Sequence, residues 1–283
     1  MDKLQNYSWW GEENSPPPHL KTKKQLAEMG VKPLQAVGVI PTRKYDLYLY
    51  NPSDSTSAIP KKQPTVHQLE ALAKGRRQQK YNAWYCEWGR HYEARNEAIE
   101  WARELLARDN WIVVDTETTG LGQAEIVQLG VLDRKGEILL DTLVRPTITI
   151  PDEVIDIHGI TNSMVVDAPT FTEVYPQLVQ VSADKEILIY NADFDINVLK
   201  FCCKLHGLPL LGFQKRSHCA MEWYAQFCGD YDYDRYGGYK WQPLGGDHSV
   251  VGDCQAVLRL LKEMATTNLI DVQLAFAKPA IGV

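Results

Sequence analysis

The stretch Trp111-Ile112-Val113-Val114-Asp115-Thr116-Glu117-Thr118-Thr119-Gly120 decides how this chain is read. A short apolar run delivers Asp115 and Glu117 one residue apart. Alternate side chains of a strand share a face, so the two carboxylates project together beside a buried strand. Acids held that close repel unless a cation lies between them. Oxygen-only donors suit hard ions such as Mg²⁺ or Mn²⁺. Taken alone, Asp-x-Glu is a weak signal, expected roughly once by chance in a chain of this length. Its place at the end of an apolar strand, before Thr-Thr-Gly, strengthens it.

Outward from this strand, residues 125–133 and 137–145 read as two more apolar strands around the turn Arg134-Lys135-Gly136. Residues 151–164 and 170–182 read as helices, with Pro151 well placed at a helix start. Residues 186–190 form a buried strand, and residues 193–206 an amphipathic helix ended by Gly207. Residues 217–227 hold a strand and a helix. Residues 230–246 are rich in Tyr and Gly and read as a loop, and 249–266 is the last strong helix. Three antiparallel strands followed by strand–helix alternation predict an α/β fold, a mixed sheet with helices on both faces.

Two further elements bring acids toward the same sheet. Asn191-Ala192-Asp193-Phe194-Asp195 follows the buried strand and opens a helix, at the sheet edge where α/β folds build sites. His248-Ser249-Val250-Val251-Gly252-Asp253 opens the last helix. Five residues is near one and a half helical turns, so a histidine in the preceding loop can reach the same pocket as Asp253.

In that order, Asp115-x-Glu117, Asp195 and His248-x₄-Asp253 resemble the three motifs of the DEDDh family, the DnaQ-like 3′→5′ exonucleases of ribonuclease H-like fold. Ile157-His158-Gly159-Ile160-Thr161 is similar to a segment of the proofreading-subunit branch. The resemblance spans about residues 109–266. It implies that Asp115, Glu117 and Asp253 bind metal directly, that Asp195 completes a second ion's site, and that His248 is the general base. It further implies that Thr118, Leu121, Asn191 and Phe194 contact the terminal nucleotide. Two ions, Mg²⁺ or Mn²⁺, would clamp the attacking and leaving oxygens of a phosphodiester. A histidine titrating near neutrality suits removal of a water proton. The chain departs from the family where the region before the histidine shortens to residues 239–247, which leaves substrate preference open. His158 is expected to serve its helix turn. Tyr231, Tyr233, Tyr236 and Tyr239 either stack on bases or fold onto the surface.

The composition fits an ordinary soluble chain: 283 residues, 45% hydrophobic and 23% charged, enough for one large domain and a small one. No apolar run suits a membrane span and no signal-peptide core opens the chain, so a cytoplasmic protein is expected. None of the six cysteines forms a C-x₂-C pair, and reduced, mostly buried thiols follow. The net charge of −6 argues against nucleic acid, but residues 20–80 hold twelve basic against four acidic residues, a net +8 that leaves −14 elsewhere. A basic module beside an acidic one fits a polyanion steered toward a metal site.

The expected organisation is a mobile arm over 1–19, a small basic α+β module over 20–64, and a connecting helix over 65–108, with a break near Gly75. The exonuclease domain follows over 109–270, and a tail over 271–283. Residues 22–62 are similar to the front of RRQRL-motif zinc-binding proteins, whose downstream cysteine knuckle is missing here. The module is expected to contact nucleic acid or a protein partner. The function expected is a metal-dependent 3′→5′ exonuclease on single-stranded ends, DNA ahead of RNA, releasing nucleoside 5′-monophosphates. An RNA-trimming enzyme and a non-catalytic adaptor on the same fold are the competing expectations, and the intact five-residue set argues against the adaptor.

Overall fold

A computed structural model describes residues 4–233 and 237–277. The chain divides into two compact units, with the division between Gln79 and Lys80. The first unit is built on short strands: β1 (Gln5–Asn6), β2 (Lys21–Thr22), β3 (Val31–Pro33), β4 (Gly38–Ile40), β5 (Leu47–Tyr50) and β6 (Ala58–Pro60), with one helix, α1 (Lys23–Glu28). Four strands form a sheet in the order β1-β4-β5-β2, and β3 pairs with β6. Thr22 caps α1 through a reciprocal exchange with Gln25. Leu20, Ile40 and Leu49 form one small core, and Leu26, Tyr50 and Ala58 another.

Two expectations change here. Residues 1–19 were expected as a mobile arm, yet β1 runs parallel to β4 and the Tyr7 N–H donates to the Val39 carbonyl at 2.9 Å. Gln-Asn has no hydrophobic periodicity, so a pairing made through the backbone leaves no pattern to read. The loop expected over 51–64 contains β6, whose three residues are too few to show a period.

A long helical run follows: α2 (Val66–Trp84), a π-helical turn (Tyr85–Gly89) and α3 (Arg90–Ala107). The helix passes through Gly75 without a break. Its irregularity is the π turn, where a side chain at Gly89 would meet the Tyr85 and Trp84 rings at 2.6 and 2.9 Å.

The second unit centres on β7 (Trp111–Thr118), β8 (Ile126–Asp133), β9 (Ile138–Leu143), β10 (Glu186–Ile189) and β11 (Ser217–Cys219). The sheet order is β11-β10-β7-β8-β9. β10 is parallel to β7 and β11, whereas β7-β8-β9 is an antiparallel meander. Around it lie α4 (Asp152–His158), α5 (Asn162–Val165), α6 (Phe171–Ser182), α7 (Ala192–Leu205), α8 (Phe213–Arg216) and α9 (Ala220–Cys228). A hairpin of β12 (Tyr231–Asp232) and β13 (Gly238–Tyr239) precedes α10 (Val250–Thr266) and α11 (Val272–Ala277). This is the mixed sheet flanked by helices that the sequence predicted.

Strand alternation sorts the core into two layers. Ile112 and Val114 pack with Val174, Leu178, Ile196 and Leu199 of α6 and α7. Trp111 and Val113 pack with Ile99, Leu105, Val257 and Leu261 of α3 and α10. The single helix expected over 151–164 is two, because Gly159 takes the left-handed conformation (φ 74°) and ends α4. The Tyr-rich loop contains the β12–β13 hairpin; Tyr236 lies outside the described residues. All six cysteines are unpaired; Cys202, Cys203 and Cys254 are buried, Cys219 is half-buried, and Cys86 and Cys228 are exposed. No helix among the described residues is long and apolar enough to cross a membrane.

Candidate active site

Asp115 and Glu117 continue the Trp111–Val113 side of β7, the side that α10 covers. Asp115 pairs with Gly130 of β8, and a Cβ on Gly130 would lie 2.6 Å from the Val250 Cβ. The missing side chain lets the first turn of α10 rest on the strands, which brings Asp253 to the acids of β7. Ser249 caps α10 by accepting the Gly252 N–H at 3.1 Å, and Asp247 in turn accepts the Ser249 hydroxyl at 2.7 Å. His248 is exposed and holds a left-handed backbone (φ 59°), an uncommon conformation for a residue with a side chain.

The ligand atoms of Glu117, His248 and Asp253 all lie within 4.8 Å of one another. Asp115 and Asp195 complete the charge around them. Burial, then the negative charges of Asp195, Asp253 and Glu117, push the Asp115 carboxyl well above its usual range. Burial and the charges of Asp253 and Asp195 raise Glu117 to about 8. Asp195 reaches the site by another route. It stands in the first turn of α7, and Thr116, between the two acids but on the opposite face of β7, donates to its Oδ1 at 2.7 Å. Burial raises Asp195 and that hydrogen bond opposes the rise. Burial likewise raises Asp253, against the backbone N–H of His248.

One buried side-chain oxygen or nitrogen among the described residues has no hydrogen-bond partner: Asp253 Oδ1. A buried acceptor left unmade costs about 1–3 kcal/mol. Gly246 lies over it so closely that a Cβ there would fall 1.7 Å from that oxygen. An unpartnered carboxylate oxygen, carboxyls driven toward protonation and a donor set of oxygens plus one imidazole fit a divalent cation.

Beside the acids opens a cleft of about 670 Å³. Thr118, Leu121 and Phe194, which the family resemblance implied at the terminal nucleotide, line it together with Ile157 and His158. Leu121 is 87% exposed, an apolar side chain held out at the mouth. Asn191 does not line this cleft. It is the N-cap residue of α7, and its carbonyl accepts the N–H groups of Phe194 and Asp195. His158 fastens α4 to β7: its Nδ1 accepts the Ile160 N–H at 3.0 Å, so Nε2 carries the proton facing the Thr118 carbonyl at 3.2 Å. Sequence reasoning missed Glu125. Buried, it accepts the Thr147 N–H and hydroxyl at 2.9 and 2.6 Å and fixes the loop that roofs the cleft. A lone acid at a strand entry gives no local signal of that role.

Comparison with known proteins shows the family. A family model described as Exonuclease (RNase_T) matches residues 112–261. An exonuclease of Escherichia phage 186, CP81, is 37% identical over 187 residues, covering 60% of this chain and 95% of that one. The DNA polymerase III epsilon subunit of Pasteurella multocida is 32% identical over 101 residues, covering 32% of this chain and 40% of that one. A PolC-type DNA polymerase III of Caldanaerobacter subterraneus is 35% identical over 112 residues, but only 8% of its length is spanned. Among solved structures, exonuclease X in complex with 5′-overhanging duplex DNA superposes with a TM-score of 0.38 at 26% identity, covering 56% of this chain and 95% of that one. The chain belongs to the exonuclease family. The likeness of residues 22–62 to zinc-binding proteins gains no support, since the family match begins at residue 112.

Proposed function

We propose that this chain is a 3′→5′ exonuclease that removes nucleoside 5′-monophosphates from single-stranded 3′ ends, DNA ahead of RNA. The observation that carries the reading is the convergence of Glu117, His248 and Asp253 within 4.8 Å, from elements more than a hundred residues apart, with Asp115 and Asp195 charged against them. Asp115, Glu117, Asp195 and Asp253 would hold two ions, Mg²⁺ or Mn²⁺. When bound, these would lower the pKa of a water and neutralise the charge that builds on the scissile phosphate.

The chain's own residues supply the rest. Leu121 packs on the terminal base from the mouth of the cleft, with Phe194 and Thr118 lining the wall. His158 pins the Thr118 carbonyl and so keeps the strand end in place as the nucleotide enters. His248 accepts a proton from the attacking water on its imidazole nitrogen. The water oxygen bonds to phosphorus and the bond to the penultimate 3′-oxygen breaks. That oxygen takes a proton and becomes the new 3′ end. Exposure of His248 gives the collected proton a path to solvent.

The preference for DNA rests on residues 157–161 and on likeness to DNA polymerase III epsilon and PolC-type chains. A 5′-labelled oligonucleotide, as DNA and as RNA, incubated with Mg²⁺ or Mn²⁺ tests the whole reading. A ladder shortening from the 3′ end, faster on DNA and absent with Asp115→Ala or EDTA, is expected. No metal-dependent laddering on either substrate would end it.

A further inference from the structure

The second unit contains another cavity, about 680 Å³, as large as the acid cleft. Its walls come from the π turn (Glu87 and Trp88), the first turns of α3 (His91 and Arg95) and the hairpin (Tyr231 and Tyr233). Everything on α3 and the π turn lies outside the family match, which begins at residue 112.

The rings here are arranged in two ways. The inner ones are packed against each other. His91 sits between two tyrosine hydroxyls, Tyr239 at 2.9 Å on Nδ1 and Tyr233 at 2.8 Å on Nε2, and Tyr231 packs on Tyr239 edge to face at 5.2 Å. This fastens the hairpin to α3. The outer rings are open: Trp88 is 51% and Tyr233 63% exposed. The Arg90 guanidinium stands over Tyr231 and Tyr233 at 4.9 and 5.7 Å, with its Nε donating to His91 Nε2 at 3.3 Å, and brings a positive charge to the exposed rim of the rings. The π turn is itself a costly irregularity, of a kind that recurs at functional sites, and it carries Trp88.

Position ties the cavity to the reaction. Three residues join α3 to β7, so the helix runs back along the strand it feeds. An 18-residue helix spans about 27 Å and the six steps from Trp111 to Glu117 about 20 Å. The start of α3 therefore lies toward the end of the sheet that presents Asp115 and Glu117. The hairpin also leads directly into the His248 loop, which the Tyr190 hydroxyl holds by donating to the Gln242 carbonyl.

We infer that this cavity is a base-stacking site for single-stranded nucleic acid, taking a nucleobase of the substrate strand on the 5′ side of the terminal nucleotide. The inference rests on the exonuclease reading. Exposed flat rings accept any base by stacking, and Arg90 supplies charge for the adjoining phosphate. Glu87, the one carboxylate among the lining residues, can accept from a base amino group. Arg90 and Arg95 oppose a cationic occupant.

The test uses the full chain carrying Asp115→Asn, so that bound DNA survives, and reads anisotropy of a labelled 12-nucleotide single strand with Mg²⁺. Trp88→Ala and Tyr233→Ala should each raise Kd about tenfold. Tyr233→Phe, which keeps the ring and loses the hydroxyl on His91, should stay near the parent. In the active chain the same alanine variants should raise KM for the oligonucleotide, yet leave hydrolysis of thymidine 5′-(p-nitrophenyl phosphate), which has no 5′ strand, unchanged. Kd values within twofold of the parent, or equal losses on both substrates, would overturn the site. If the parent chain hydrolyses neither substrate the exonuclease reading fails, while the anisotropy series still decides whether the rings bind a base.

Discussion

At the scale of single residues, the two side chains flanking Thr116 in β7 and Thr116 itself divide the work. The acids face α10, and the hydroxyl turns to the opposite face and holds Asp195. Thr116→Val would leave a buried carboxylate oxygen without its donor, at about 1–3 kcal/mol. It should also weaken Mg²⁺ binding by about tenfold, the usual effect of losing a group that orients a ligand; titration of the variant against the parent checks both. Removing charge from the cluster itself has a larger effect. Asp253→Asn should lower kcat by roughly 10²-fold or more, measured at saturating metal. The acids also make the metal-free chain sensitive to pH. Glu117 holds its proton to about 8 in the folded chain against 4.5 when unfolded. Below pH 4 both states are protonated and the group contributes nothing. Between those values the unfolded chain sheds its proton first, so stability falls as pH rises. The EDTA-treated protein should therefore melt several degrees lower at pH 8 than at pH 5.5, and Glu117→Gln should flatten the difference.

At the scale of elements, close backbone approaches set the geometry. Gly130 lets α10 settle on β7 and β8, and Gly246 lets the histidine loop lie on Asp253. Gly130→Ala must push Val250 aside. Overpacking of this kind costs about 1–3 kcal/mol, and a melting curve would show it as a lower Tm. Gly246→Ala meets a carboxylate oxygen from an exposed loop rather than from a packed element. It should leave Tm nearly unchanged while lowering kcat, because His248 is carried away with the loop. Much of the layout was legible in the sequence. Apolar runs marked β7, β8 and β10. Period-two spacing put Asp115 and Glu117 on one face. The Asn191–Asp195 and His248–Asp253 segments each stood at a helix start. What escaped reading is non-local. The pairing of β1 with β4 is backbone only, and the π turn has no composition of its own. Thr116 and Glu125 gain their roles from partners 79 and 22 residues away. Asn191, which the resemblance implied at the nucleotide, stands at the start of α7 and outside the lining of the cleft.

At the scale of the whole molecule, charge is unevenly distributed along the sequence. Twelve basic residues over 20–80 stand against an acidic remainder that carries the cluster. An acid cluster that repels itself is a fold held against its own charge, and a cation bound only by the native state relieves it. Mg²⁺ should raise Tm by several degrees, more at pH 8 than at pH 5.5, and Asp253→Asn should abolish the rise. The central claim is that acids remote in sequence hold a pair of ions. Calorimetric titration of Mn²⁺ into the full chain, with thymidine 5′-monophosphate present, tests it most directly. Two ions bound per chain, falling to one or none in Asp115→Asn and Asp253→Asn, is the result predicted. The same stoichiometry and affinity in both variants as in the parent would contradict it.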